Sequence, residues 1–141
     1  MDGMVSMSKI AVIYATGMTK NTKKLAEYIA KQTGADIFNL KELSSIDVSG
    51  FDTIVFGTGI HAGKPYAPLV DFLAKTKDEL IEKRLFLFIS CMYNDEKGDK
   101  QCAAVSQKLG LADAVYFNKK APEMNEAGFP KAVDDFIARI Q

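Results

Sequence analysis

Five short apolar or alternating runs, separated by amphipathic stretches, constrain the fold of this chain more than any other feature. The runs are Lys9–Tyr14, Ala35–Leu40, Phe51–Phe56, Leu85–Ile89 and Ala114–Phe117. The stretches with helical spacing of apolar residues are Thr22–Gln32, Ala67–Lys75, Asp99–Leu109 and Phe129–Ile140. Strands that alternate with helices pair in parallel, because each crossover helix returns the chain to the same end of the sheet. The sequence therefore predicts a three-layer α/β fold, with a doubly wound, five-stranded parallel sheet in the order 2-1-3-4-5.

Length and composition indicate one globular domain. The chain has 141 residues, 48% of them hydrophobic and 26% charged, which is enough to build a core without disulfides or metals. We expect the domain to cover residues 9–141. The opening segment, residues 1–8, lacks a strand or helix pattern, and we expect it to be a disordered tail.

The charge balance and the cysteine count exclude several classes of protein. Lysine plus arginine and aspartate plus glutamate number 18 each, so no excess of positive charge points to a nucleic acid partner. Two cysteines, Cys91 and Cys102, are too few for the disulfide framework of a small secreted domain. No signal-peptide pattern and no apolar run of about 20 residues is present, so we expect a cytoplasmic protein without a membrane span.

The loop after the first strand carries the strongest candidate binding site. Ligands of doubly wound sheets bind outside the carboxyl ends of the strands, where the strand order reverses. The candidate residues there are Thr16, Gly17, Met18, Thr19, Lys20, Asn21 and Thr22. Hydroxyls and the free N–H groups of a helix start suit a phosphate monoester. The alternative is that the polar side chains only cap the helix.

The segment from Ile10 to Ala26 resembles the start of flavodoxins, in which a Thr/Ser-rich loop wraps the phosphate of flavin mononucleotide (FMN). This resemblance implies a flavodoxin-like fold, FMN as the cofactor, and phosphate-binding roles for Thr16, Thr19, Asn21 and Thr22. Lys20 stands where the family has a glycine, and the loop is one residue longer than is usual.

The loop after the third strand resembles the flavin-ring loop of the subgroup that includes the flavodoxin-type protoporphyrinogen oxidases. By that resemblance, the residues beside the flavin ring are Gly59, Ile60, His61, Ala62 and Gly63. The form Gly-x-Gly-x-x-Ala also fits a dinucleotide fingerprint, but it follows the wrong strand and has two prolines after it. His61, the only histidine, either stacks on the flavin or is an exposed loop residue.

The loop after the fourth strand supplies the remaining candidates. These are Cys91, Met92, Tyr93 and Asn94. Tyr93 either covers one face of the flavin or is a half-buried loop aromatic. Cys91 has no second histidine or paired base to activate it, so a small buried residue is the simpler interpretation. We expect no catalytic side chain and no metal ligand.

These candidates favour an FMN-binding electron-transfer protein that shuttles electrons between a reductase and an acceptor protein. One alternative is a small FMN-dependent oxidoreductase that acts on a quinone or a porphyrinogen. Another is an FMN-free interaction or signalling module. A phosphoacceptor receiver needs acidic residues after the first and third strands, where this chain has Thr16 and Gly57.

Overall fold

The computed structural model describes residues 9–16, 21–43, 45–61, 63–91, 96–117 and 123–141. The strands are β1 (Ile10–Tyr14), β2 (Asp36–Asn39), β3 (Thr53–His61), β4 (Lys64–Pro65), β5 (Arg84–Ser90) and β6 (Ala114–Phe117). The helices are α1 (Asn21–Thr33), α2 (Ala67–Thr76), α3 (Glu96–Leu109) and α4 (Lys131–Ile140), with a 3₁₀ turn at Lys77–Leu80. The expected tail, residues 1–8, lies outside the described residues.

Five parallel strands form the sheet in the order β2-β1-β3-β5-β6. With β4 set aside, this is the predicted order 2-1-3-4-5, so the predicted fold class is confirmed. The register places Ile13 of β1 beside Phe56 of β3, and Phe56 beside Leu87 of β5. The order reverses at β1, which brings the carboxyl ends of β1 and β3 side by side.

Side chains of the central strands alternate between two cores, one on each face of the sheet. Val12, Val55 and Phe88 pack on the face covered by α1 and α4, while Ile13 and Phe56 pack on the opposite face under α2 and α3. These strands are continuously buried because both faces of a parallel sheet are covered by helices. This burial on both faces explains why the central strands are apolar at nearly every position in the sequence.

The third strand differs from its predicted extent. It was expected to end at Phe56 but continues to His61, and a two-residue strand, β4, pairs back on it. Ile60 lies opposite Pro65 and His61 opposite Lys64, in antiparallel register. The glycines obscured this extension, since glycine is uncommon in strand interiors.

Two helices begin at other residues than expected. Helix α3 starts at Glu96, three residues before the predicted Asp99, and α4 starts at Lys131 rather than at Phe129. Pro130 is the N-cap of α4, with extended backbone angles of φ −56° and ψ 140°. The chain therefore enters the helical conformation only after the proline.

Candidate functional site

The predicted site lies at the carboxyl edge of the sheet, where β1, β3 and β5 end as neighbours. The N–H of Ala15 donates to the carbonyl of Gly57 over 2.9 Å, and Gly59 lies in register with Ser90. Cys91 continues the ladder, with its N–H 2.9 Å from the carbonyl of Phe117. The three predicted loops therefore leave the sheet from adjacent strands.

The start of α1 contains a buried hydroxyl without a partner in the described chain. Thr22 is 2% exposed, and no hydrogen bond reaches its Oγ1 from any described residue. Asn21 begins the helix, whose first turn contains no acidic residue. A helix start with free N–H groups, positive dipole charge and a buried hydroxyl suits an anion such as a phosphate. Thr16, half-buried, follows β1 at the same edge.

The loop after β3 is a hairpin rather than an open loop. Strand β3 extends past its neighbours to His61, and β4 begins at Lys64, directly after Gly63 with a φ of +77°. This backbone conformation favours glycine, because a Cβ would be strained there. The hairpin presents main-chain groups of Gly59 and Ile60 beside the ends of β1 and β5.

A second buried threonine, Thr58, joins the hairpin to α2. Its Oγ1 accepts a hydrogen bond from the N–H of Tyr66 at 3.0 Å and donates to the carbonyl of Gly59 at 2.9 Å. Thr58 is fully buried, and Tyr66 is the N-cap of α2. Neither residue was a sequence candidate, because the bond links positions eight residues apart and follows no local motif.

Two glycines of β3 lie in close contact with aromatic rings. A Cβ on Gly57 would lie 2.6 Å from Cε1 of the Phe88 ring, and a Cβ on Gly59 would lie 2.7 Å from Cζ of Tyr66. Real Cβ atoms essentially never come so close to another atom. The tyrosine ring therefore lies directly against the backbone of the hairpin, and its burial raises the pKa of Tyr66.

The end of β5 supplies a buried thiol. Cys91 is 5% exposed, and its Sγ donates to Oε1 of Gln101 at 3.7 Å.

The pKa values of two groups in β6 and α3 are raised. The phenol of Tyr116 donates to Oδ1 of Asp99 at 2.7 Å, and this bond, with burial, raises the pKa of Tyr116 to about 12. Burial, followed by the charges of Cys91 and Asp99, raises the pKa of Cys102, which disfavours a thiolate there.

Several candidates fall outside the described residues. These are Gly17, Met18, Thr19, Lys20, Ala62, Met92, Tyr93 and Asn94. His61 is placed by its backbone in β3, opposite Lys64. The structure brings Thr16, Asn21, Thr22, Gly59, Ile60, Gly63 and Cys91 to the same edge of the sheet.

A model of the flavodoxin domain family matches residues 11–135. The chain belongs to the flavodoxin domain family. An uncharacterised protein of Methanocaldococcus jannaschii is 33% identical over 97 residues, and the match spans 65% of this chain and 65% of that protein's length. The resemblance inferred from the loop after β1 is thereby confirmed.

Solved flavodoxins share the fold of this flavodoxin-domain protein. Oxidised flavodoxin 1 from Bacillus cereus superposes with a TM-score of 0.66 at 23% identity, over 94% of this chain and 97% of that one. The Fusobacterium nucleatum flavodoxin bound to flavin mononucleotide has a TM-score of 0.66 at 19% identity, over 95% and 97% of the two chains. Within the described ranges, no helix combines the length and apolar character that crossing a bilayer requires.

Proposed function

We propose that this flavodoxin-domain protein binds FMN and serves as an electron-transfer protein between a reductase and an acceptor. The supporting observation is the hydroxyl of Thr22, which is buried at the start of α1 without a partner among the described residues. A buried polar group left unpaired costs roughly 1–3 kcal/mol, so its presence favours a ligand that completes its hydrogen bonding. Its place beside the strand-order reversal is where a doubly wound sheet binds its ligand.

The proposed site has a phosphate side and a ring side. The phosphate side consists of Thr16, Gly17, Met18, Thr19, Lys20, Asn21 and Thr22. The ring side consists of Gly59, Ile60, His61, Ala62 and Gly63 of the hairpin, together with Cys91, Met92, Tyr93 and Asn94. The bound flavin would accept and release the electrons, while the chain would bind it, orient it and exclude water from it.

This proposal assigns no catalytic role to a side chain. The described thiol nearest the site, Cys91, is buried and hydrogen-bonded to Gln101, which fits packing better than nucleophilic attack. Residues 9–141 would form the FMN-binding domain, and the partners would be a reductase and an acceptor in the cytoplasm.

An absorption titration of the purified chain with FMN tests the cofactor. We expect the flavin bands to shift and the flavin fluorescence to change on binding, with saturation at one FMN per chain. A folded protein that leaves the spectrum of excess FMN unchanged would overturn the proposal.

A comparison of FMN with riboflavin tests the phosphate side separately. Replacing Thr16 and Thr22 together with alanine should weaken FMN binding far more than riboflavin binding, because only FMN carries the phosphate. Equal losses for both ligands would contradict the phosphate assignment. Steady reduction of a quinone or oxidation of a porphyrinogen without a partner protein would assign an enzyme instead of a carrier.

A further inference from the structure

One hydroxyl holds together the two ends of the β3–β4 hairpin segment. Thr58 precedes the hairpin in β3, and Tyr66 follows it directly after β4. The Thr58 Oγ1 accepts from the Tyr66 N–H at 3.0 Å and donates to the Gly59 carbonyl at 2.9 Å. Both of these bonds are made by a side chain that is fully buried. These bonds are costly to lose, because the Thr58 hydroxyl and the Gly59 carbonyl are buried and the Tyr66 N–H is partly buried.

The two-stranded ladder of the hairpin is short, while Ile60 and Tyr66 pack against the core under α2 and α3 and Pro65 is buried. Strand β4 contains two residues, and only two residue pairs join it to β3. A two-stranded ladder of that length is not stable in water by itself. Tyr66, as the N-cap of α2, makes no side-chain capping bond. The Thr58 hydroxyl is therefore the described polar group that ties the hairpin to the helix.

The ring of Tyr66 adds an apolar contact to the same connection. It packs against Gly59 so closely that a Cβ there would lie 2.7 Å from its Cζ. The hairpin is thus held from two directions, by a hydrogen bond at Thr58 and by a ring against Gly59. This connection contains none of the groups at the start of α1.

We propose that Thr58 is a positioning residue, which fixes the hairpin on α2 and so presets the ring side of the flavin site. This inference rests on the proposed FMN site and adds a residue that acts on it through the hairpin backbone. A hairpin already held in place loses less conformational entropy when a ligand binds, which increases affinity. The phosphate side should be unaffected by Thr58.

Three variants separate positioning from general stability. Thr58→Val removes the hydroxyl, and Thr58→Ser keeps it. Thr76→Val is the matched control, because the buried Thr76 also donates its Oγ1 within α2, to the Phe72 carbonyl at 2.8 Å, but at the far end of the helix. We expect Thr58→Val to weaken riboflavin binding by about tenfold, which corresponds to the net contribution of one hydrogen bond. Thr58→Ser and Thr76→Val should bind riboflavin as the wild type does.

Amide hydrogen exchange of the flavin-free protein gives a second measurement. We expect exchange over residues 59–66 to become severalfold faster in Thr58→Val, and to stay unchanged there in Thr76→Val. If the wild type binds flavin, a Thr58→Val variant with unchanged riboflavin affinity would overturn the positioning role. Unchanged hydrogen exchange in Thr58→Val would overturn it as well. A wild type that binds no flavin would overturn the proposed function, while hydrogen exchange would still test the connection.

A second pair of variants keeps the proposal testable if Thr58→Val does not fold. Tyr66→Ala and Tyr66→Pro both remove the ring, and only the proline also removes the N–H donor. The φ of Tyr66 is −68°, which proline adopts without strain. Faster exchange over residues 59–65 in Tyr66→Pro than in Tyr66→Ala supports the hydrogen bond as the positioning contact. Equal exchange in the two variants would overturn it.

Discussion

The start of α1 and the base of the β3–β4 hairpin each bury one threonine at the same edge of the sheet, but with opposite hydrogen bonding. Thr22 has no partner for its hydroxyl in the described chain, whereas the Thr58 hydroxyl both accepts and donates within it. A buried polar group without a partner favours a ligand that hydrogen-bonds to it, and one with its partners holds the backbone in place. In the proposed FMN site, the first region would bind the ligand directly and the second would position the backbone that contacts it.

The largest effect should come from the base of the hairpin, at Gly57. Gly57→Ala places a methyl 2.6 Å from Cε1 of Phe88, a ring that is fully buried and packed in the core. We expect a loss of about 3 kcal/mol in the free energy of unfolding, measured by urea denaturation, because the core is overpacked.

Two other glycines provide the controls for this change. Gly59→Ala should cost only about 1 kcal/mol, since the half-buried Tyr66 ring can shift. Gly50→Ala should be close to neutral, because no atom lies within 4 Å of its added Cβ. Equal losses at Gly57 and Gly59 would show that the top of the hairpin is as rigid as its base.

The two threonines can be compared directly by the same substitution. In the flavin-free protein, Thr58→Val should cost about 2 kcal/mol, because the buried Gly59 carbonyl loses its donor and the partly buried Tyr66 N–H loses its acceptor. Thr22→Val should cost nothing or stabilise by up to about 1 kcal/mol, because it removes a buried hydroxyl that has no partner among the described residues.

Thr22→Val, the less destabilising of these two variants, should have the larger effect on FMN affinity. Thr22→Val should weaken FMN binding by roughly tenfold or more through the lost bond to the phosphate, and leave riboflavin binding unchanged. Isothermal titration with both ligands measures the ratio of FMN affinity to riboflavin affinity in each variant. A destabilised apo Thr22→Val protein would mean that the hydroxyl already has a structural partner, and the contrast with Thr58 would disappear.

A smaller effect is expected at the turn of the hairpin. Gly63 has a φ of +77°, and no atom of the described residues lies within 4 Å of an added Cβ, so backbone strain is the cost expected for a side chain there. Gly63→Ala should cost about 1 kcal/mol, and Gly63→Asn less, since asparagine tolerates this conformation better. Thermal denaturation of the two variants checks the order, and an Asn variant as unstable as the Ala variant would contradict it.

The smallest effect on flavin binding should come from Tyr116, which lies in β6 beside the end of β5. Its bond to Asp99 raises the phenol pKa from 10.0 to about 12, so folding favours the protonated form. The resulting stabilisation is complete below pH 10 and is lost as the pH rises from 10 to about 12.

Tyr116→Phe should remove that part of the alkaline loss of stability, measured by thermal denaturation across this pH range. Flavin affinity at neutral pH should stay the same, because the phenol bonds to Asp99 and serves neither side of the proposed site. A changed affinity would add the end of β6 to the comparison as a third contributing region.

The sequence by itself determined the parallel sheet, the strand order and the sheet edge at which we propose the site. Continuous apolar runs separated by helical periodicity leave few topologies, and a doubly wound sheet has one strand-order reversal to bind a ligand. The phosphate candidates Asn21 and Thr22 could be located because the start of α1 follows from local residue pattern. The packing alternation of Val12 and Ile13 between the two cores likewise follows from the two-residue period of a strand.

Only the tertiary structure showed how the β3–β4 hairpin, the proposed ring side, is built. The hairpin, the Thr58–Tyr66 bond and the close contacts of Gly57 and Gly59 all depend on atoms that are distant in sequence and meet after folding. Thr22 and Thr58 are the same residue type beside the same sheet edge, and no local pattern predicts that only Thr58 bonds to other described residues. The partner of a buried polar group is set by packing, and packing is a property of the whole fold.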